Sequence, residues 1–341
     1  MEENADSLLN SIKGVLKNQP YDKPYAENSS MIYENNFNEI KIAESGSQIV
    51  FIDGGNAEIF STANFSLQLI RGAYVIYQNN KKIGFGKTEF FALIFCSKKG
   101  SKMGYEAKIF QFKKDSIIPS AGDLAFDSYD ESLVNEDSRK NIAKIADFIR
   151  KITEIEIAKK KNDDLNKGDI IIFDGDLQMK TKNEIHSLDV LFSKALGKGI
   201  IISALSKTSS MLTEKGNSLP YYLNSIGKNK CWSYNISEDN RVFLCFVKLN
   251  VHSQYTFKFE IFCNQKDEIN RILSVLVKNS VDPVFLGYPY GLLEADKHAR
   301  VSNQEKEYLQ TKIMANLGKD AEKLIKSANS INAHKIFDTI H

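Results

Sequence analysis

Two short apolar runs of the chain each lead into an aspartate and a glycine. The first is Gln48–Gly55, Gln-Ile-Val-Phe-Ile-Asp-Gly-Gly, and the second starts at Ile170 and reads Ile-Ile-Ile-Phe-Asp-Gly-Asp. Runs of β-branched and aromatic residues predict buried strands, and Asp-Gly predicts a turn that leaves the carboxylate at the strand's end. Asp-Gly is also an ordinary turn dipeptide. If the strands are neighbours, however, Asp53 and Asp174 can share a divalent metal.

Strand patterns continue after the first run. Apolar and alternating segments cover 65–78, 87–96 and 106–112, and a polar connection, Asn79-Asn80-Lys81-Lys82, separates the first two. Successive strands with short polar connections predict an antiparallel meander that begins at the acid-bearing strand. Ribonuclease-H-like sheets begin in this way, as do several other folds.

A long helix is predicted between the two Asp-Gly strands. Apolar residues recur at helical spacing from about Glu136 to Lys161, and the chain then enters the second strand. A helix that leads into a strand predicts α/β architecture for the later half. Glu154 and Glu156 lie in the last third of this helix, where glutamates are usually solvated. Their position, next to the sheet that carries Asp53, makes either one a candidate ligand.

The remaining chain predicts more strands and two helical ends. A buried run from Gly199 leads into a Ser/Lys/Thr loop in which Lys207 is a candidate phosphate contact. Further strands are predicted at 231–234, 241–249 and 255–262, and a helix at 267–277. Residues 5–17 predict an amphipathic helix that Pro20 and Pro24 end. Residues 303–338 predict charged helix.

A cluster of metal-ligand side chains follows a Gly/Pro turn near the C-terminus. Glu294, Asp296 and His298 lie within five positions. Residues two apart on a helix face away from each other, so one or two of the three are expected to coordinate one ion.

Composition narrows the function classes. The 341 residues carry a formal net charge of +2, so any nucleic-acid surface must be a local patch. The four cysteines are widely spaced and indicate neither a zinc knuckle nor a disulfide framework. No apolar run approaches the roughly 18 residues of a membrane span, and the N-terminus lacks a basic signal-peptide start. We therefore expect a cytoplasmic protein.

Five segments, in this order, make the chain resemble the NurA nuclease family between about residues 48 and 305. They are Phe51–Gly55, Arg150–Glu154, Phe173–Leu177, Ser206–Ser209 and Gly287–Asp296. The resemblance implies a ribonuclease-H-like (PIWI-like) α/β fold with a mixed sheet flanked by helices. It also implies a homodimeric, manganese-dependent nuclease, with magnesium as a possible substitute, that is a 5′ to 3′ exonuclease and a single-strand endonuclease. Its implied partners are DNA, the hexameric ATPase HerA and Mre11-Rad50, in resection of DNA ends during double-strand break repair.

The resemblance also implies metal ligands. Asp53 and Asp174 match the family's two metal-binding aspartates, and Glu154 matches its helix acid, with Glu156 as the alternative. A pair of metals about 4 Å apart, bridged by Asp53 and held by Glu154 and Asp174, with Asp296 as a further candidate ligand, would activate water and stabilise the leaving oxygen.

Other active-site residues follow from the same resemblance. Tyr290 and His298 match an aromatic and a histidine, which we expect to contact DNA and to position water or protonate the leaving group. Lys207 is expected to be a weak DNA contact. The chain departs from the family at Gly55, where Ser is common, and at Asp176, where a small residue is usual.

We expect a nuclease domain at 46–310 between an N-terminal helical arm at 1–45 and a C-terminal helical extension at 311–341. An RNA-guided, Argonaute-related nuclease is a rival, but the chain is too short for guide-anchoring domains. A second rival is a non-catalytic scaffold that keeps the fold and binds a motor ATPase. Manganese-dependent digestion of single-stranded DNA separates the nuclease from the scaffold.

Overall fold

The computed structural model describes residues 2–16, 22–25, 30–99, 102–114, 116–127, 134–135, 138–139, 142–238 and 241–329. Pro20 and the end of the predicted C-terminal extension, 330–341, lie outside the described residues. The chain forms two compact units, Met1–Glu44 with Ala204–Pro289 and Ser45–Ser203 with Tyr290–His341. Both units are discontinuous in sequence. The domain boundaries at 45 and 310 stay predictions.

The helices are α1 Glu2–Leu16, α2 Ile145–Asp164, α3 Lys182–Lys198, α4 Leu219–Ile226, α5 Ile269–Asn279, α6 Tyr290–Ala299, α7 Asn303–Leu317 and α8 Asp320–Asn329. The strands are β1 Asn38–Glu39, β2 Gln48–Ser61, β3 Phe65–Gln78, β4 Lys81–Lys99, β5 Lys102–Gln111, β6 Ala125–Asp127, β7 Val134–Asn135, β8 Ser138–Arg139, β9 Ile170–Asp174, β10 Ile201–Ser206, β11 Trp232–Glu238, β12 Val242–Lys248 and β13 Phe257–Phe262. No described helix is long and apolar enough to cross a bilayer.

The unit that carries both Asp-Gly sequences is built on a mixed sheet in the order β9-β2-β3-β4-β5-β6. Strands β2 to β5 form the predicted antiparallel meander. Strand β9 pairs in parallel with β2 and places Ile52 opposite Phe173. The two Asp-Gly strands are therefore neighbours. A meander that begins at the acid-bearing strand, with a parallel strand on the other side of it, is the ribonuclease-H-like order that was predicted.

The β3–β4 hairpin has a two-residue turn. Asn79 and Asn80 have φ angles of 48° and 62°, the left-handed pair that a tight hairpin turn requires and that Asn tolerates. Strand β4 begins directly after them at Lys81, so our expectation of a longer polar loop and a strand from Lys87 was wrong. Cross-strand pairing overrides the polarity of these lysines.

The prediction that the first strand ends at Asp53 was also wrong. Strand β2 continues through both glycines to Ser61. A Cβ at Gly54 would meet the side chains of Glu154 and Arg150, and one at Gly55 would meet the carbonyl of Ala299. These glycines allow helices to approach the strand closely. By contrast, Gly175 has φ 120° and ends β9 in a turn, as predicted.

Helices α2 and α6 pack on opposite faces of this sheet. Ile157 of α2 packs over Gly72, on the face towards which Gly54 points, whereas Gly291 of α6 packs against Phe51 on the other face. Successive strand residues point to opposite faces. Asp53 therefore projects to the α6 face, and Glu154 lies on the α2 face.

Helix α2 begins later than predicted. A short antiparallel pair, β7 and β8, precedes the helix, which begins at Ile145 after a turn of 3-10 helix. The apolar spacing begins only at Ile142, so the polar segment before it has no apolar face to bury. From Ile145 onward the helix covers buried strand residues such as Ile70 and Phe90.

In the other unit, β1, β11, β12 and β13 form an antiparallel arrangement, and the last three are the strands predicted near 231–234, 241–249 and 255–262. Its core gathers Ile32, Leu219, Trp232 and Phe246, among other residues. Helix α5 confirms the helix predicted near 267–277. Helix α1 confirms the N-terminal helix and leaves Leu8, Leu9 and Ile12 exposed.

Candidate metal centre

Three carboxylates converge on the α6 face of the sheet. Asp53 lies in the middle of β2, Asp174 is the last residue of β9, and Asp296 lies on α6. Each offers one oxygen, and these oxygens all lie within 4.8 Å of one another. The β2–β9 register explains the first two, since the residues after the Ile52–Phe173 pair are the two aspartates. The helix packed on this face supplies the third.

Three anions so close together repel each other strongly. Asp53 is only 8% exposed, so water screens its charge poorly. Arg150 provides some compensation: its pKa is raised first by Glu154, against an opposing effect of burial, and further by Asp53. All three donors are hard oxygen ligands, the set that Mg²⁺ and Mn²⁺ prefer. The donor set therefore fits a divalent metal.

The carboxylates open onto space for a substrate group. An open pocket of about 280 Å³ is lined by Asp53, Gly54, Gly55, Asn56, Asp296, Ala299, Arg300 and Val301. Of the two glycines, Gly55 points to this face and adds no side chain to the wall, and the end of α6 at Ala299 packs against it. The backbone N–H of Gly54 donates to Oδ1 of Asp53 at 2.7 Å and helps to orient that carboxylate.

Glu154 and Glu156 face different neighbours. Glu154 is fully buried, accepts a hydrogen bond from Arg150 and lies 3.7 Å from Nζ of Lys151. Glu156 instead accepts a hydrogen bond from Lys159 at 2.6 Å. Of the two predicted alternatives, Glu154 is therefore the one turned towards β2. The structure does not bring it into the group of three carboxylates.

Tyr290 and His298 lie along the side of α6 that faces the β3–β4 hairpin. The Tyr290 hydroxyl donates to the carbonyl of Asn80 at 3.0 Å. The His298 ring stacks on Phe85, with centroids 4.9 Å apart and planes at 16°. Asp296, two positions before His298, points to nearly the opposite side of the helix. The structure thus does not bring Tyr290 or His298 to the carboxylates.

The electrostatic setting of His298 is basic. Partial burial lowers its pKa, and Lys82, Lys297 and Lys87 lower it further, against an opposing effect of Glu294. The imidazole is therefore neutral at pH 7.

Lys207 lies in the other unit, with its Nζ 5.6 Å from the ring centroid of Tyr288. Two basic residues that sequence reasoning left without a role lie on α2 instead. Arg150 donates to Glu154 and to the backbone carbonyl of Gly54, and Nζ of Lys151 donates to the backbone carbonyl of Asp176 at 2.8 Å. The available signal was their position one helical turn before Glu154.

Comparison with known proteins identifies the family. The model of the NurA domain matches residues 47–301 of this chain. The crystal structure of the NurA nuclease from Sulfolobus solfataricus is similar with a TM-score of 0.53 and 14% identity, covering 83% of this chain and 88% of that chain. At that identity the likeness shows the fold alone.

Two further solved structures match more weakly. The catalytic domain of human endonuclease V has a TM-score of 0.41 and 8% identity, covering 82% of this chain and 92% of its own. Aquifex aeolicus Argonaute has a TM-score of 0.36 and 11% identity, covering 76% of this chain and 29% of that chain. No curated protein sequence matches. Since the domain model covers most of the chain, including all three carboxylates, the chain belongs to the NurA family of nucleases.

Proposed function

We propose that this protein is a metal-dependent DNA nuclease whose metal is held by Asp53, Asp174 and Asp296. The observation that carries the proposal is the convergence of three carboxylates, one from the middle of a strand, one from a strand end and one from a helix, within 4.8 Å. Such a cluster costs stability unless a cation binds to it. Family membership supplies the substrate class.

When bound, a divalent ion would polarise the phosphodiester and lower the pKa of a water nucleophile. The chain's own residues orient the reactants. Arg150 lies on the α2 face of the sheet, and its positive charge interacts electrostatically with Asp53 across β2. Glu154, one turn later on the same helix, accepts a hydrogen bond from the guanidinium and holds it in place. We therefore assign Glu154 a positioning role through Arg150.

Further parts of this proposal are manganese as the metal, 5′ to 3′ exonuclease action with single-strand endonuclease action, a homodimer, a HerA-type ATPase partner and work with Mre11-Rad50 in DNA end resection. They are supported by membership of the NurA family. The catalytic contributions of Tyr290 and His298 and the DNA contact of Lys207 stay predictions.

The test is digestion of end-labelled single-stranded DNA in Mn²⁺, in Mg²⁺ and in EDTA. We expect cleavage with metal only, and a loss of at least about 100-fold when Asp53→Asn or Asp174→Asn removes a ligand charge. Asp163→Asn, an exposed aspartate on α2 outside the cluster, is the matched control and should cleave at the wild-type rate. If wild-type protein does not cleave DNA with any divalent metal, the non-catalytic scaffold is the better description.

A further inference from the structure

A basic and aromatic surface lies on β4, on the same face of the sheet as Asp53. Residues directly opposite each other in adjacent strands project to the same face. Asp53 is opposite Ala73, which is opposite Lys87, and Val75 is opposite Phe85. Neighbouring strands are about 4.8 Å apart, so Lys87 lies two strands, or roughly 10 Å, from the strand that bears Asp53.

Phe85 is the centre of this surface. Its ring is 59% exposed although it lies in a regular strand. One side stacks on His298, and Nζ of Lys82 lies 4.8 Å from the ring centroid. Although Lys82 lies over the ring and His298 stacks on it, more than half of Phe85 stays exposed, so the residue offers a preformed platform for a third flat group.

The surroundings of Phe85 are net basic. Lys82 lies over the Phe85 ring, Lys87 is two positions from Phe85 on the same face of β4, and Lys297 precedes His298 on α6. The acids that pair with these lysines are Glu294, at 2.9 Å from Lys82, and Glu89, which lies 3.3 Å from Lys87 but is also bound by Arg71. The three lysines thus face two carboxylates, and Arg71 already neutralises part of the charge of Glu89. The remaining positive charge creates a local field that suits a phosphate chain.

We propose that Phe85, Lys82 and Lys87 form a binding subsite for single-stranded DNA, in which one base stacks on Phe85 and the lysines contact the flanking phosphates. The proposal rests on the nuclease function proposed above. In it, the subsite holds the part of the DNA strand that extends away from the three carboxylates. Stacking on an aromatic ring beside lysines is sequence-tolerant, because every base has a π-face. The subsite therefore predicts binding without base preference.

The alternative occupant is protein, either a second copy of this chain or another partner that covers Phe85. Charge favours DNA, because the cores of protein interfaces are depleted in lysine whereas three lysines surround this ring. A protein interface would also not require a flat ring at this position, so leucine would replace phenylalanine without loss.

The experiment measures binding of fluorescein-labelled oligothymidylate by anisotropy in EDTA, where hydrolysis is suppressed, at two salt concentrations. Phe85→Leu should weaken binding about tenfold through lost stacking, and Phe85→Trp should restore it. Lys87→Gln should make binding less salt-dependent by about one phosphate contact. Phe110→Leu is the matched control, since Phe110 is 52% exposed on β5, and it should bind as the wild type does.

Wild-type affinity in Phe85→Leu would overturn the proposal. A loss in Phe85→Leu that Phe85→Trp does not restore would also overturn it, as would a lower dimer fraction of Phe85→Leu in mass photometry with unchanged DNA affinity. The last outcome would assign the surface to a protein partner. Thermal melts of all variants exclude misfolding as the cause. Failure of the nuclease function is recognised separately, as absence of metal-dependent cleavage by the wild-type protein.

Discussion

Replacing Asp174 by Asn should stabilise the metal-free protein. Its ligand oxygen lies within 4.8 Å of those of Asp53 and Asp296. At an effective dielectric constant of about 20, two like charges at that distance repel by about 3.5 kcal/mol. Solvent screening and the nearby Arg150 reduce this repulsion. We expect a net gain of about 1–2 kcal/mol in the free energy of unfolding, because Asn keeps the shape and removes the charge.

Metal should reverse the order of stability. An ion that binds only the folded wild type at 100 times its dissociation constant adds about 2.7 kcal/mol. Asp174→Asn loses a ligand charge and most of that gain. The assay is thermal or urea unfolding of wild type and variant in EDTA and in saturating Mn²⁺. We expect the variant to be more stable in EDTA and the wild type to be more stable in Mn²⁺.

The control for this reversal is Asp163→Asn, which should follow the wild type in both conditions. The reasoning is refuted if Asp174→Asn is the less stable protein in EDTA, since the carboxylates would then not be held together against repulsion. Equal stabilisation of wild type and Asp174→Asn by Mn²⁺ would show that the ion binds elsewhere.

Three further substitutions test how the fold is stabilised. Gly54→Ala should lower the free energy of unfolding in urea by about 1–3 kcal/mol and reduce cleavage, because the new Cβ would meet the side chain of Glu154. Wild-type stability of this variant would show that α2 can move away from β2 without loss. Arg71→Met should lower the free energy of unfolding by about 3–5 kcal/mol, because the buried guanidinium pairs with Glu89 and with Glu305 of α7. A loss below about 1 kcal/mol would contradict this. Burial acts to raise the pKa of Asp22, but hydrogen bonds to its carboxylate outweigh burial, so its pKa in the folded protein is below 3.8. The carboxylate therefore stabilises the fold above pH 3.8, and this stabilisation is lost as the pH falls through the folded pKa. Asp22→Asn should make the free energy of unfolding depend less on pH in that range, and an unchanged slope would refute this.

The sequence predicted the core of the fold because local pattern and tertiary pairing agree there. The runs at 48–53 and 170–174 are buried on both faces, and such continuous apolar runs are typical of central strands. Their adjacency followed only from the supposition that both acids serve one site. The meander was predictable from alternating segments with short polar connections.

The errors arose where close packing replaced local preference. Asp53-Gly54-Gly55 carries a strong turn signal, but the glycines serve the approach of α2 and α6, which single-sequence reading cannot distinguish from a turn. Asp296 was recognised from residue type, yet its partner residues depend on which face of α6 meets the sheet. The same packing decided that Glu154 pairs with Arg150 and that His298 stacks on Phe85. No local sequence pattern around His298 indicates that Phe85 is its neighbour.

Anomalous diffraction from a crystal grown with Mn²⁺ tests the central claim most directly. Data collected at the manganese edge locate the ion without reference to the protein density. We predict an anomalous peak at about 2.0–2.4 Å from carboxylate oxygens of Asp53, Asp174 and Asp296, a distance range typical of divalent ions with oxygen ligands. A strong peak elsewhere, with no peak among these three side chains at saturating Mn²⁺, would contradict the account.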